Sequence, residues 1–170
     1  SNSSDYTVSV IATTTNTVIG APIGVGIFPM GVAVTPDGAK VYVANAFGNT
    51  VSVIDTDKWA VTNTIKVGQR PRGIEFTRDG KFVLVAVGDD DKIEVIDAAT
   101  QQVVDSLPSG PDPELFTQDA AGKTLYVANE NDNTVTIIDL EKRVRVGDAV
   151  IDMGDIDLAV DSYQKSFGLD

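Results

Sequence analysis

The sequence predicts an all-β fold assembled from four-stranded units that repeat every 42 residues. Three observations predict it. Val41-Tyr42-Val43-Ala44-Asn45 returns as Leu125-Tyr126-Val127-Ala128-Asn129, with Val83-Leu84-Val85-Ala86-Val87 midway. Thr50-Val51-Ser52-Val53-Ile54-Asp55 returns in the same register as Lys92-Ile93-Glu94-Val95-Ile96-Asp97 and Thr134-Val135-Thr136-Ile137-Ile138-Asp139; positions 41–55 and 125–139 share nine identities in fifteen. Punctuating residues keep the step as well: Gly26, Gly68 and Gly110; Pro29, Pro71 and Pro113; Gly38, Gly80 and Gly122.

Each unit reads as four short strands rich in Val, Ile, Thr and Tyr, which suit a pleated, packed surface. In the first unit they fall at 31–35, 40–45, 50–55 and 61–67. Pro36-Asp37-Gly38 joins the first two, proline presetting φ and glycine accepting the left-handed position. Arg78-Asp79-Gly80 and Ala120-Ala121-Gly122 repeat that turn. Asp55, Asp97 and Asp139 close the third strands, where a short side-chain acceptor caps the turn that follows. The second strands are apolar on both faces, so each should be covered on both sides. Four strands in about 40 residues, packed face to face, is the logic of a β-propeller blade.

The whole blades are 31–68, 73–110 and 115–154, preceded by a half blade over 6–26 that holds a third and a fourth strand. Residues 1–154 are thus the repeat region and 155–170 a closing segment or helix. Positions 156–161 fit a first strand, but no Pro-Asp-Gly turn follows. Positions 157–167 have helical spacing, with Ala159, Tyr163 and Phe167 on one face and Gly168 as a C-cap. Two architectures remain open: a closed ring of four blades, or an arc of a larger propeller whose open edges invite self-association. The apolar stretch 18–34 carries Gly20, Gly24, Gly26, Gly31, Pro22 and Pro29, so it reads as buried strand, not as a membrane helix. The start, Ser1-Asn2-Ser3-Ser4, has no signal-peptide pattern.

The Tyr-Val-Ala-Asn strands, the Thr-Val-Ser-Val-Ile-Asp run and the Pro-Asp-Gly turn resemble the YVTN-type β-propeller repeats of bacterial and archaeal surface-layer, secreted or periplasmic proteins. The resemblance spans about residues 6–146. It implies an extracellular, cell-surface or periplasmic location and a role as a binding or scaffold module. Residues 67–73 and 109–116 also resemble a periplasmic propeller branch linked to pyrroloquinoline-quinone-dependent alcohol metabolism; no quinone-binding residue carries over. Residues 157–169 resemble the opening helix of glyoxalase-like domains.

Composition narrows the chemistry. The 170 residues include no cysteine and no histidine, which excludes disulfide scaffolds, thiolate or His-ligated metal sites, Ser-His-Asp triads and Cys-His dyads. Acidic residues outnumber basic ones by 25 to 13, a net charge of −12, which argues against nucleic acid as a partner. Part of that charge is local: 148–170 holds six Asp and one Lys.

In a propeller, the second-to-third-strand loops share one face with the blade-to-blade connections. Here that face collects 46–49, 88–91 and 130–133 together with 28–30, 70–72 and 112–114. The repeat step sets Met30, Arg72 and Glu114 at equivalent positions around one rim. With Arg70 and Asp112 they are the candidate ligand-binding residues; the alternative is an Arg72–Glu114 contact that only joins neighbouring blades. Asp89, Asp90 and Asp91 offer closely spaced oxygens of the kind calcium takes. Their spacing is not that of an EF-hand, and hairpin loops are rich in Asp and Asn for turn reasons. Trp59 should cover a blade's outer edge, and Tyr42 and Tyr126 should be packing residues. The expected function is therefore a non-catalytic binding or scaffold propeller that recognises a protein or a glycan through its loop face. The alternatives are an accessory protein of periplasmic quinone-dependent oxidation and a metal-assisted lyase or lactonase-like propeller.

Overall fold

The repeat step of the sequence is also a step in backbone conformation. In the computed structural model, which describes residues 1–150, the left-handed positions come in sets. Gly38, Gly80 and Gly122 have φ of 74°, 70° and 67°; Phe28, Arg70 and Asp112 have 57°, 56° and 56°. Asn49, Asp91 and Asn133 form a third set and Trp59, Gln101 and Arg143 a fourth, all between 48° and 57°. Tyr6 and Asn16 carry the last two sets back towards the N-terminus. A non-glycine residue at such a φ costs about 1–2 kcal/mol locally, so each set marks a turn enforced by the strands around it.

Those turns separate fourteen strands among the described residues. Strands β1 (Thr7–Ala12) and β2 (Thr17–Gly24) form a two-stranded antiparallel sheet, the half blade. Blade 1 is β3 (Pro29–Val34), β4 (Lys40–Asn45), β5 (Thr50–Asp55) and β6 (Ala60–Lys66). Blade 2 is β7 (Pro71–Phe76), β8 (Phe82–Val87), β9 (Lys92–Asp97) and β10 (Gln102–Pro108). Blade 3 is β11 (Pro113–Gln118), β12 (Thr124–Asn129), β13 (Thr134–Asp139) and β14 (Val144–Val150). Within each blade the strands pair antiparallel in chain order, so the expected all-β architecture of four-stranded blades is the observed one. The closing segment, its helical spacing and the last residues of the third unit lie outside the described residues.

The turns work as their residues require. Gly38 and Gly80 each close a β-turn by donating to the carbonyls of Thr35 and Thr77 at 2.8 Å. After the third strands, Asp97 accepts from the backbone N–H of Ala99 and Thr100 at 3.0 and 2.7 Å. Asp55 does the same for Asp57 and Lys58 at 3.0 Å, and Asp139 for Lys142 at 2.8 Å. Hydrogen bonds from Lys58, the Thr100 backbone and Lys142 hold the carboxyls of Asp55, Asp97 and Asp139 respectively below the usual aspartate value. A depressed folded-state pKa contributes stability that is present above the unfolded value, 3.8, and lost as pH falls through the folded one. The melting temperature is therefore expected to be flat between about pH 6 and 8, where neither His nor Cys is present to titrate, and to fall once the pH drops below about 4. Thermal scans across that range check it. Asp97→Ala should lower Tm at pH 7, and Asp97→Asn, which keeps one acceptor, should lie between Asp97→Ala and the native chain.

The core is a series of layers between blades. Side chains alternate along the second strands, as the period of a strand requires. Val83, Val85 and Val87 of β8 face blade 1 and join Tyr42, Val51 and Phe76. Leu84 and Ala86 face blade 3 and join Leu107, Leu125 and Val127. Val8 and Ile23 of the half blade pack on Val43 and Ile54. The expectation that every second strand is covered on both faces fails at β12. Tyr126 is 39% exposed, whereas its counterpart Tyr42 is fully buried, because no sheet lies against that side of blade 3 among the described residues. On the other end face, Met30, Val32 and Val34 are exposed. Of the 18–34 stretch, 18–24 and 29–34 are strand, with a connection between them, but β2 is not buried: as the outer strand of the half blade it buries only Ile23. No helix of the described residues is long and apolar enough to cross a membrane.

The inner strands approach so closely that only glycine fits between them. A Cβ on Gly73 would lie 2.5 Å from the Glu114 carbonyl oxygen, and one on Gly31 would overlap the Arg72 carbonyl. The third member of this series is Leu115, 66% exposed.

Candidate functional site

The loop face is built by one repeated backbone contact. Each connection lays the carbonyl of its left-handed residue on the loop of the blade it enters. Ala46 donates to Phe28, Gly88 to Arg70 and Glu130 to Asp112, at 2.9, 3.1 and 2.9 Å. The side chains of Asn49 and Asp91 reach across to accept the next connection's N–H groups, those of Arg70 and Asp112, at 3.1 and 2.9 Å. This frame brings position 28 beside 47 and position 70 beside 89.

What fills those paired positions differs from blade to blade. On blade 1, Phe28 stacks on Phe47 with ring centroids 4.6 Å apart. On blade 2, Arg70 bonds Asp89 through Nε and Asp112 through Nη2, each at 2.5 Å. Asp112 is buried, and its hydrogen bond with Arg70 pushes the guanidinium pKa further up, so this cation is held charged between two blades.

The second rim group lies on the inner strands. The structure brings Met30, Arg72 and Glu114 together, as the spacing predicts: they line one cleft of about 380 Å³ with Ser1, Ser3 and Leu115. Within it Arg72 forms an ion pair with Glu114 and a longer one, 3.5 Å, with Glu130. The inter-blade Arg72–Glu114 contact is thus present, and Arg70 and Asp112 form a separate bridge.

Asp89, Asp90 and Asp91 face three different donors. Asp89 holds Arg70, Asp90 pairs with Lys92 at 3.3 Å and accepts from Gln69, and Asp91 accepts from the Asp112 N–H. Among the described residues, no three acidic side chains converge as a metal ion would require. Trp59 sits on the opposite end of blade 1, lining a shallow cleft with Val10, Ile19 and Pro22 at the blade's outer edge.

Sequence reasoning passed over Phe47, which is 61% exposed, and its exposed neighbour Ile27. Both backbone N–H groups at 47 and 48 bond the Ile27 carbonyl at 3.2 Å, so this apolar corner is fixed. A signal was available: Phe28 and Phe47 have the same separation as the oppositely charged Arg70 and Asp89. Chemically, the loop face offers one exposed ring, Phe47, backed by the half-buried Phe28, beside charges that are already neutralised by each other. It is suited to binding by shape and stacking.

The YNCE-like beta-propeller family matches residues 1–95, over half of the chain. The chain belongs to the YNCE-like β-propeller family. The YVTN-type resemblance of its repeats is thereby borne out. This YNCE-like propeller is also similar to a chain in the solved structure of Kuenenia stuttgartiensis hydrazine synthase, with a TM-score of 0.84 and 34% identity. The match covers 89% of the YNCE-like chain and 45% of the other, so the chain spans less than half the length of that relative. No curated protein matches it.

Proposed function

We propose that this YNCE-like propeller is a non-catalytic binding or scaffold module that works outside the cytoplasm and recognises a protein through its loop face. The Phe28–Phe47 stack carries the reading. An exposed ring, Phe47, stacked on the half-buried Phe28 of a rigid frame and bordered by polar groups, has the composition of an interaction hot spot. The paired state of Arg70, Arg72, Asp112 and Glu114 supports it, because charges engaged with each other stiffen the rim and leave stacking as the free interaction. A glycan would use the same exposed ring.

The test places a photo-crosslinking residue at position 47 and, as control, at position 121 on the opposite face, in the native host. Protein adducts at 47 that are absent at 121, and lost in a Phe28→Ala background, support the reading. Adducts at neither position, with a glycan array that binds through Phe47, move the ligand to carbohydrate. Equal adducts at both positions remove the loop face. The likeness to a hydrazine synthase chain favours a second reading, a scaffold part of an enzyme assembly. Metal analysis and quinone titration of the purified protein separate that role from one in which the propeller itself carries a reactive centre.

A further inference from the structure

A cleft lies on the face away from these loops, between blades 2 and 3, where the first-to-second and third-to-fourth-strand turns gather. Its volume is about 460 Å³. The equivalent cleft between blades 1 and 2 is smaller, about 330 Å³.

Aligned repeat positions explain the difference. Between blades 1 and 2 the space is filled by Tyr42, whose ring meets Phe76 edge-on at 5.2 Å and whose hydroxyl donates to the Ala98 carbonyl at 3.4 Å. One step later the residue is Leu84, buried but with no ring to reach that far. Two neighbours change with it. Lys40 becomes Phe82, and Gln101 becomes Arg143, whose guanidinium lies 5.2 Å from the centre of the Phe82 ring. The result is an apolar floor of Leu84, Val95 and Leu107 under a mouth that carries Arg78, Lys123 and Arg143.

Two carboxylates, Asp79 and Glu141, line the cleft with those three cations. Lys123 is paired with Glu141 at 2.9 Å and Arg143 with Asp105 at 2.5 Å. Arg78 is the least neutralised: it donates to the Gln118 carbonyl at 3.2 Å, and its nearest carboxylate, Glu75, is 3.8 Å away. An apolar hollow with an incompletely paired guanidinium at its mouth complements a molecule with an apolar chain and one anionic head, and the volume lies in the range of small-molecule sites.

We propose that this cleft binds an amphipathic carboxylate, a medium-chain fatty acid. The chain lies over Leu84, Val95 and Leu107, and the head sits between Arg78 and Arg143. The site is independent of the loop-face reading, and either can fail without the other.

Decanoate is the probe, followed by calorimetry and by methyl NMR of the full chain. Saturable binding is expected, with shifts at the methyls of Leu84, Leu107 and Leu140, which also lines the cleft, and none at Leu115 on the exposed end face. Decanol and decyltrimethylammonium should bind at least tenfold more weakly. Leu84→Tyr, which rebuilds the filled cleft of the preceding blade pair, should lower decanoate affinity at least tenfold with an unchanged circular dichroism spectrum. Should that variant not fold, Arg78→Gln and Arg143→Gln at the surface decide: each should weaken decanoate binding and leave decanol binding as it was. Decanoate that does not bind, that binds no better than decanol, that shifts Leu115 instead, or that binds these variants unchanged would overturn the proposal.

Discussion

Replacing Tyr42 with alanine is expected to remove about 3–5 kcal/mol of stability, whereas Tyr126→Ala should remove about 1 kcal/mol or less. The two tyrosines occupy the same position of the repeat, on β4 and β12, each followed by Val and Ala. Their surroundings differ. Tyr42 is enclosed by blade 2, with Phe76 against its ring, and its truncation leaves a cavity between two rigid sheets. Tyr126 faces away from blade 2 and is partly in solvent, so truncation leaves no enclosed void. Urea unfolding of the two variants measures the difference directly. Equal losses would mean that blade 3 is covered as fully as blade 1.

Gly73→Ala is the second large effect. The added methyl would stand 2.5 Å from the Glu114 carbonyl oxygen and 3.3 Å from the Leu115 Cα, both backbone atoms that cannot swing aside. The inner strands β7 and β11 would have to part, which costs about 1–3 kcal/mol, as overpacking of a well-filled interior does. For a domain of this size that is a fall in Tm of roughly 3–10 °C. Leu115→Gly, one step later, should change stability by less than about 1 kcal/mol, because the side chain is largely in solvent and only strand propensity is lost. Calorimetric scans of the pair test this. A Gly73→Ala variant that melts with the native chain would show that the inner strands stand farther apart.

The repeat was legible in the sequence because its markers are chemical necessities. Glycine at 38, 80 and 122 answers a left-handed turn, and aspartate at 55, 97 and 139 answers unpaired N–H groups after the third strand. The rim was legible for the same reason: equal spacing set Met30, Arg72 and Glu114 on one inner edge. The left-handed turns at Trp59, Gln101 and Arg143 were not, since none is a glycine and the strands rather than the residue impose the conformation. The covering of β12 was misjudged because an apolar pattern tells which face wants a neighbour, not whether one is there. Phe28 and Phe47 lie far apart in sequence and on different segments, so their contact emerges only once the connection is laid across the loop. The cleft over Leu84 was hidden in a substitution that looks conservative, a tyrosine exchanged for a leucine in an apolar strand.

The step from Gly31 and Gly73 to Leu115 has a mechanical meaning. Two junctions of the array are drawn tight at their inner strands, where bare backbone meets bare backbone. On the free side of blade 3 the same position carries a branched side chain, largely in solvent, and a strand laid against it would have to stand off by the thickness of that side chain. Among the described blades, then, two junctions are locked backbone to backbone, while the free side of blade 3 carries a spacer where the others carry none.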